Sequence, residues 1–236
     1  MTNNSMIIKK MPDTADSFDS IMSLPLFQGM SRDDLKDILS QTTLIFTRKA
    51  SRQEIVREGT PCSSLTFILT GTIELSTPAD DRAYTFKEYL KAPAVIGTDR
   101  IFGLTQQNMS TVTTATECTC LTIGKAEIIR LYNQYSIFRI NILNIIATKS
   151  QKSTRWNWKT PPATTEGRIL RFFETHSTYH AGHKILFIKR VRFAEELNCE
   201  PRKIAAALRR MQEKGFVTTG RGRIEMISLE KTAAEL

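Results

Sequence analysis

The stretch VRFAEELNCEPRKIAAALRRM, Val191–Met211, decides how this 236-residue chain is read. Apolar residues recur at helical spacing on both sides of a short break, with Phe193 and Leu197 before it and Ile204, Leu208 and Met211 after it. Ala194 is small enough to let two helices cross closely, and Leu197 closes the first helix before Asn198-Cys199-Glu200. Pro201 suits the first turn of the next helix, where its missing N–H would have no intrahelical partner. Helices over 193–198 and 201–214 joined by a tight turn are a helix-turn-helix pattern.

The second helix has two chemically different sides. Ile204, Leu208 and Met211 fall on the side to be buried; Arg202, Ala206 and Arg209 fall roughly opposite, with Lys203 and Arg210 on the flanks. A helix that enters the DNA major groove needs this layout. Small residues let it sit deep, an arginine near its N-terminus reaches guanine O6 and N7, and flanking cations meet phosphates. Arg202 is the base-reading candidate. Arg192, Pro201, Lys203, Ala206, Arg209 and Arg210 complete the helical set, and Arg221 and Arg223, around a Gly220-Arg221-Gly222 turn, suit backbone or minor-groove contact. Charge supports this placement. The chain carries 33 Lys and Arg against 24 Asp and Glu, net +9, and Lys189–Arg223 alone holds 10 basic and 4 acidic residues.

Working outward, Pro161-Pro162 marks a boundary, and Thr164-Thr165-Glu166 opens a helix whose core side is Ile169, Leu170, Phe172 and Phe173. Gly182 stops it; a strand over Ile185–Ile188, the two helices and two short strands follow. His176 and His180, an i,i+4 pair near the end of the first helix, are read with His183 as dipole-complementing residues rather than metal ligands. Upstream, Leu44–Ile123 consists of short β-rich runs punctuated by turn residues, which predicts a closed or sandwiched β unit. Ser31 caps a helix that precedes it. Helices follow over Lys125–Tyr132 and from about Ser136 to Trp156. The longer one is apolar on two sides: Phe138, Ile142 and Ile145 form one stripe, and Ile140, Leu143 and Ala147 the other. One side covers the β unit and the other needs a partner, either a second copy or the C-terminal domain of the same chain. Phe138, Ile142, Ile145 and Lys149 are assigned to a homodimer seam.

Composition narrows the classes further. Hydrophobic residues make up 41% and charged ones 24%, ordinary for a globular protein, so wholesale disorder is excluded. No apolar run suits a signal peptide or membrane span, and the four cysteines Cys62, Cys118, Cys120 and Cys199 lack metal-type spacing, which points to a cytoplasmic protein with inert thiols. No phosphate-cradling loop, Gly-x-Ser-x-Gly or His-Glu-x-x-His motif is present, so an enzyme is a poor fit.

In the order of its parts the chain resembles the cAMP receptor protein/Fnr (Crp/Fnr) family of bacterial transcription regulators over roughly residues 24–227. The resemblance runs through Leu26-Phe27, Val56-Arg57-Glu58-Gly59, Phe67-Ile68-Leu69-Thr70-Gly71-Thr72-Ile73, Val95-Ile96-Gly97, the long helix, Gly167-Arg168-Ile169 and the helix-turn-helix. It implies an α+β chain with an N-terminal cyclic-nucleotide-binding-type β-roll (jelly roll), a long dimerisation helix and a C-terminal winged helix-turn-helix. The boundaries expected are 1–19 for a flexible tail, 20–132 for the β-roll, 133–160 for the dimerisation helix and hinge, and 161–236 for the DNA-binding domain.

The nucleotide pocket departs from the family pattern. The Gly-Glu pair of cyclic-nucleotide binders reads Gly97-Thr98, the Arg-Ser site falls near Asn108-Met109, and no arginine lies between Arg100 and Arg130. A buried cyclic phosphate would lack its guanidinium, which argues against cAMP. Gly97, Thr98, Asn108, Met109, Ser110, Ser153 and Thr154 either line a pocket for an unknown small-molecule effector or are ordinary strand and helix residues. An iron–sulfur sensor is excluded because no cysteine precedes Cys62, and the β-roll holds no histidine for haem. No cofactor or metal is expected. The partners expected are double-stranded DNA, a second copy of the chain and, as a candidate, RNA polymerase. The competing reading is a non-enzymatic interaction protein or sensor that uses the β-roll without specific DNA binding.

Overall fold

The computed structural model describes residues 6–8 and 21–236. It divides into two compact units: one comprises Met1–Ile73 and Leu90–Lys152, the other Glu74–Tyr89 and Ser153–Leu236. Sixteen residues from the middle of the β-rich region thus belong with the C-terminal part.

The first unit is built on a five-stranded antiparallel sheet. Its strands are β1 (Met6–Ile8), β2 (Leu44–Lys49), β4 (Ser64–Thr70), β7 (Ala94–Ile96) and β9 (Cys118–Gly124), in the order β1-β2-β9-β4-β7. Strand β3 (Glu54–Val56) pairs antiparallel with β8 (Thr111–Thr114). Register puts Phe46 and Phe67 on either side of Leu121, and Leu44 and Leu65 on either side of Ile123, which lays one continuous apolar surface across three strands. Helix α1 (Arg32–Gln41) is capped by the Ser31 hydroxyl, which accepts from the Asp34 amide at 3.0 Å. Its buried Leu35 and Ile38 join the same core. At the turn after β4, Gly71 has φ +91°, and a Cβ there would meet the Glu117 carbonyl oxygen at 2.3 Å, so only glycine fits. The expected tail lies largely outside the described residues, but Met6–Ile8 is not loose: it pairs with Phe46–Arg48.

Two helices follow β9: α2 (Lys125–Gln134) and α3 (Ser136–Asn157). Here the structure corrects the assignment of the apolar stripes. Phe138 is fully buried, its ring centroid 5.5 Å from that of Phe27; Ile142 is buried and Ile145 packs against the same cluster. These residues cover the sheet of their own chain. Ile140 and Leu143 are exposed, at 54% and 51%, with Ala147 beside them. The cause is volume: Phe138 is the bulkiest side chain of either stripe and fills the hollow between Phe27 and the sheet.

The second unit contains α4 (Thr165–His176), β10 (Lys184–Ile188), α5 (Arg190–Glu196), α6 (Pro201–Glu213), β11 (Val217–Gly220), β12 (Arg223–Met226) and α7 (Leu229–Glu235). To these it adds most of the hairpin formed by β5 (Thr72–Pro78) and β6 (Tyr84–Lys91). Its strands run in the order β11-β12-β10-β6-β5, with the pairs β11/β12, β12/β10 and β10/β6 antiparallel. Phe86, Leu186 and Ile224 align across three of them and face Phe173, Phe193, Ile204 and Met211 from the helices. Helix α4 ends at His176, so His180 lies beyond it and the two do not share a helix face. Burial lowers the His176 pKa below the ordinary histidine value, leaving a neutral ring wedged between Phe172 and Tyr84. His176 Nδ1 lies 2.8 Å from the Phe172 carbonyl in the last turn of the helix.

Candidate nucleic-acid interface and effector region

Helix α5 ends at Glu196 with Leu197 as its C-cap, and Asn198 takes a left-handed φ of +46°, a conformation asparagine tolerates better than most residues. The Cys199 amide then donates to the Ala194 carbonyl at 2.9 Å, closing the turn, and α6 starts at Pro201. Arg168 of α4 braces this turn, its guanidinium donating to the Asn198 carbonyl at 3.3 Å. Helix α5 begins three residues earlier than its apolar spacing suggested, which places Arg192 in its first turn.

Along α6, Ile204, Ala207, Leu208 and Met211 are buried, while Pro201, Arg202, Lys203, Ala206, Arg209 and Arg210 are exposed. Electrostatics sorts these cations. Lys203 pairs with Glu200 at 3.0 Å. Arg210 lies 2.5 Å from Glu166, whose carboxyl it holds below the ordinary glutamate range. Arg223 pairs with Glu225. Among the described residues, Arg202, Arg209 and Arg221 have no ion-pair partner, so their charge faces solvent unspent. Arg192 differs most from its expected role. Its guanidinium lies 2.8 Å from Asp81 and 2.6 Å from Glu196, with Glu195 at 3.5 Å, so three carboxylates offset its charge. Arg190, which the face analysis left out, lines a groove of about 520 Å³ with Arg209, Gln212 and Thr219. Its only sequence signal was membership of the basic run Lys189–Arg223.

In the first unit, Gly97 has φ +95° and turns the chain so that Thr98 is buried. Lys149, assigned to the dimer seam, reaches back instead. Its ammonium donates to Thr98 Oγ1 at 2.7 Å and to Asp99 Oδ1 at 3.0 Å. Burial works against the Asp99 charge, but the Lys149 ammonium outweighs it and holds that carboxyl below the ordinary aspartate value. Asn108 is committed to Thr60, donating to its carbonyl and hydroxyl at 3.1 Å each, and the exposed Met109 lies against the Arg100 guanidinium. Arg100 is in turn 3.4 Å from Asp99. Between Leu26, Leu65, Thr98 and Ile142 a void of about 10 Å³ remains, room for about one water. Ser110 is half-buried, whereas Ser153 and Thr154 are exposed and belong to the other unit. Gly97 and Thr98 therefore adjoin Lys149, while Asn108 and Met109 bind other neighbours. Among the described residues no group of three or more His, Cys, Asp or Glu is placed to hold a metal ion.

Residues 47–135 match the family model of the cyclic nucleotide-binding domain. That match covers 89 of the 236 residues, most of them in the β-rich part of the chain. A search of curated proteins gives no match. Solved structures similar to this chain include the catabolite activator protein of Thermus thermophilus, at 14% identity over 90% of this chain and 99% of that one, with a TM-score of 0.47. The c-di-GMP-responsive global regulator CLP of Xanthomonas campestris is 16% identical over 84% of this chain and 99% of that one, TM-score 0.46. FixK2 of Bradyrhizobium japonicum is 10% identical over 81% and 96%, TM-score 0.46.

Proposed function

We propose that this chain is a cytoplasmic, dimeric, sequence-specific DNA-binding transcription regulator of the Crp/Fnr type whose β-roll does not respond to cAMP. The observation that carries the reading is the two-sidedness of α6: Ile204, Ala207, Leu208 and Met211 are buried, while Arg202, Ala206 and Arg209 stand exposed with both guanidiniums unpaired. In this reading α5 and α6 are the helix-turn-helix, β11 and β12 the wing, α6 lies in the major groove, and Arg221 at the hairpin tip meets the DNA backbone. Two copies joined through the Ile140 and Leu143 face of α3 would present two recognition helices to a two-fold-related operator. Against cAMP stands the chemistry around Thr98: Asp99 adds a carboxylate, and the nearby cations Arg100 and Lys149 are both paired to it. A cyclic phosphate placed there would meet that carboxylate with no uncommitted guanidinium.

The test is selection of bound fragments from a genomic library by purified, ligand-free protein at near-physiological salt, followed by two variants on the selected site. An inverted-repeat site is expected. Arg202→Ala should relax discrimination at the base it reads by about 1–3 kcal/mol, whereas Arg221→Ala should weaken binding evenly across sequences and reduce the salt slope by about one. Folded dimer that selects nothing and shows no salt-dependent shift would replace this reading with an interaction protein.

A further inference from the structure

The hairpin β5–β6 is, by sequence, part of the β-roll. Its second strand, β6, makes its sheet contacts on the far side from β5 in the second unit. Strand β6 pairs with β10 over five residues, from Lys184↔Glu88 to Ile188↔Tyr84, and so forms a fourth strand of the second unit's sheet. Side chains anchor it from end to end. At the tip, Asp81 binds Arg192 of α5 at 2.8 Å. Next, the Tyr84 hydroxyl lies 3.0 Å from His176 Nε2, and the ring packs edge-on against Phe172. Phe86 meets Phe173 with centroids 5.6 Å apart. At the base, the Glu88 carboxylate accepts from the Lys184 ammonium at 3.0 Å and from the backbone amides of Thr178 and Tyr179 at 3.1 and 3.3 Å. Lys184 is 0% exposed and Glu88 2%, so each charge depends on the other for its solvation.

A surface hairpin resting on a neighbour would show exposed polar contacts. This one supplies a core aromatic ring and half of a buried ion pair. No anchor involves Arg202, Ala206 or Arg209, which stand exposed. Both of its strands run unbroken between the units, at Ile73–Glu74 and Tyr89–Leu90.

We infer that Glu88 and Asp81 are positioning residues for the DNA-binding helices: the hairpin Glu74–Tyr89 is an obligatory part of the DNA-binding unit, which it completes through Lys184 and steadies at α5 through Arg192. The inference rests on the DNA-binding reading for its consequence, but not for its test. A C-terminal piece starting near Ser153 lacks β6 and the adjoining part of β5 from its sheet, and with them the counter-charge of a buried lysine.

The experiment uses the full chain and segment-resolved hydrogen exchange, with DNA affinity measured in parallel on the site selected by the native protein. Glu88→Gln keeps the shape and removes the charge, and it should speed amide exchange across Phe173–Arg192 by at least about tenfold while β4 and β9 exchange as before. Asp81→Asn leaves the core intact. It should raise exchange only in the first turn of α5 and lower DNA affinity about three- to tenfold without altering base preference, and Asp81→Glu should restore both. Unchanged exchange over Phe173–Arg192 in Glu88→Gln overturns the inference, as does equal acceleration in β4 and β9, which would mark general destabilisation. If the native protein binds no DNA, the functional reading fails while the exchange pattern still decides whether the hairpin belongs to this unit.

Discussion

The two stripes of α3 make opposite predictions. Phe138 has no remaining exposed surface, so a second copy can gain nothing from it. Phe138→Ala should cost about 3–5 kcal/mol of folding stability through lost transfer energy and an unfilled cavity. Ile140 and Leu143 are about half exposed. Full burial of such a side chain is worth roughly 1.5–3 kcal/mol, so each still has about 1 kcal/mol to gain at a seam, and two residues on two protomers give about 4 kcal/mol. The double variant Ile140→Ala, Leu143→Ala should therefore raise the dimer Kd about a thousandfold and change monomer stability little. Sedimentation equilibrium over a concentration series, beside chemical unfolding, reads both quantities. The reasoning fails if Phe138→Ala dissociates the dimer while leaving the monomer equally stable, or if the double variant remains dimeric at concentrations far below its predicted Kd.

The neutral, buried His176 makes stability depend on pH. Its pKa is lowered in the folded state, so between that value and the ordinary value of 6.5 the unfolded chain binds more protons; stability is full above about pH 6.5 and falls as the pH drops toward the folded pKa. His183 shifts the same way through burial, so thermal unfolding from pH 7.5 down to 5 should show a loss that His176→Gln reduces but does not abolish. Thiol reactivity should follow burial. Cys120, pushed up to about 11, and the buried Cys62 and Cys118 should resist alkylation at pH 7.5 in the native state, leaving Cys199 at the helix turn to react first; mass mapping of a timed alkylation checks the order.

The parts most legible in the sequence were those set by local chemistry. Ser31 announces α1 because a hydroxyl at that spacing can satisfy an amide its helix leaves unpaired. Pro201 announces α6 for a related reason, and the face of α6 follows from its period. Gly71 marks the break between β4 and β5 because a side chain would strike Glu117. The stripes of α3 were visible as two sets, but periodicity carries no information about which set meets which surface. That choice depends on the hollow beside Phe27, more than a hundred residues away. The region around Thr98 was readable by what it lacks, an arginine, and unreadable by what occupies it, since Lys149 meets Thr98 only once a helix and a turn have folded together.

Arg192 shows where residue type stops being a guide to role. In the sequence it is one more cation in a basic run, next to a helix expected to lie on DNA. In the structure it is the most heavily compensated arginine of that run, and one compensating charge, Asp81, arrives from a hairpin 111 positions away. Lys184 is the converse, a lysine inside a strand whose charge is tolerated in the core only because Glu88 is delivered to it by β6. Both charges make sense as parts of a unit assembled from two separated stretches of chain. The basic residues divide accordingly: Arg192 and Lys184 are paired to the hairpin, while Arg202, Arg209 and Arg221 have no ion-pair partner among the described residues, which is the charge the proposed DNA contact would use.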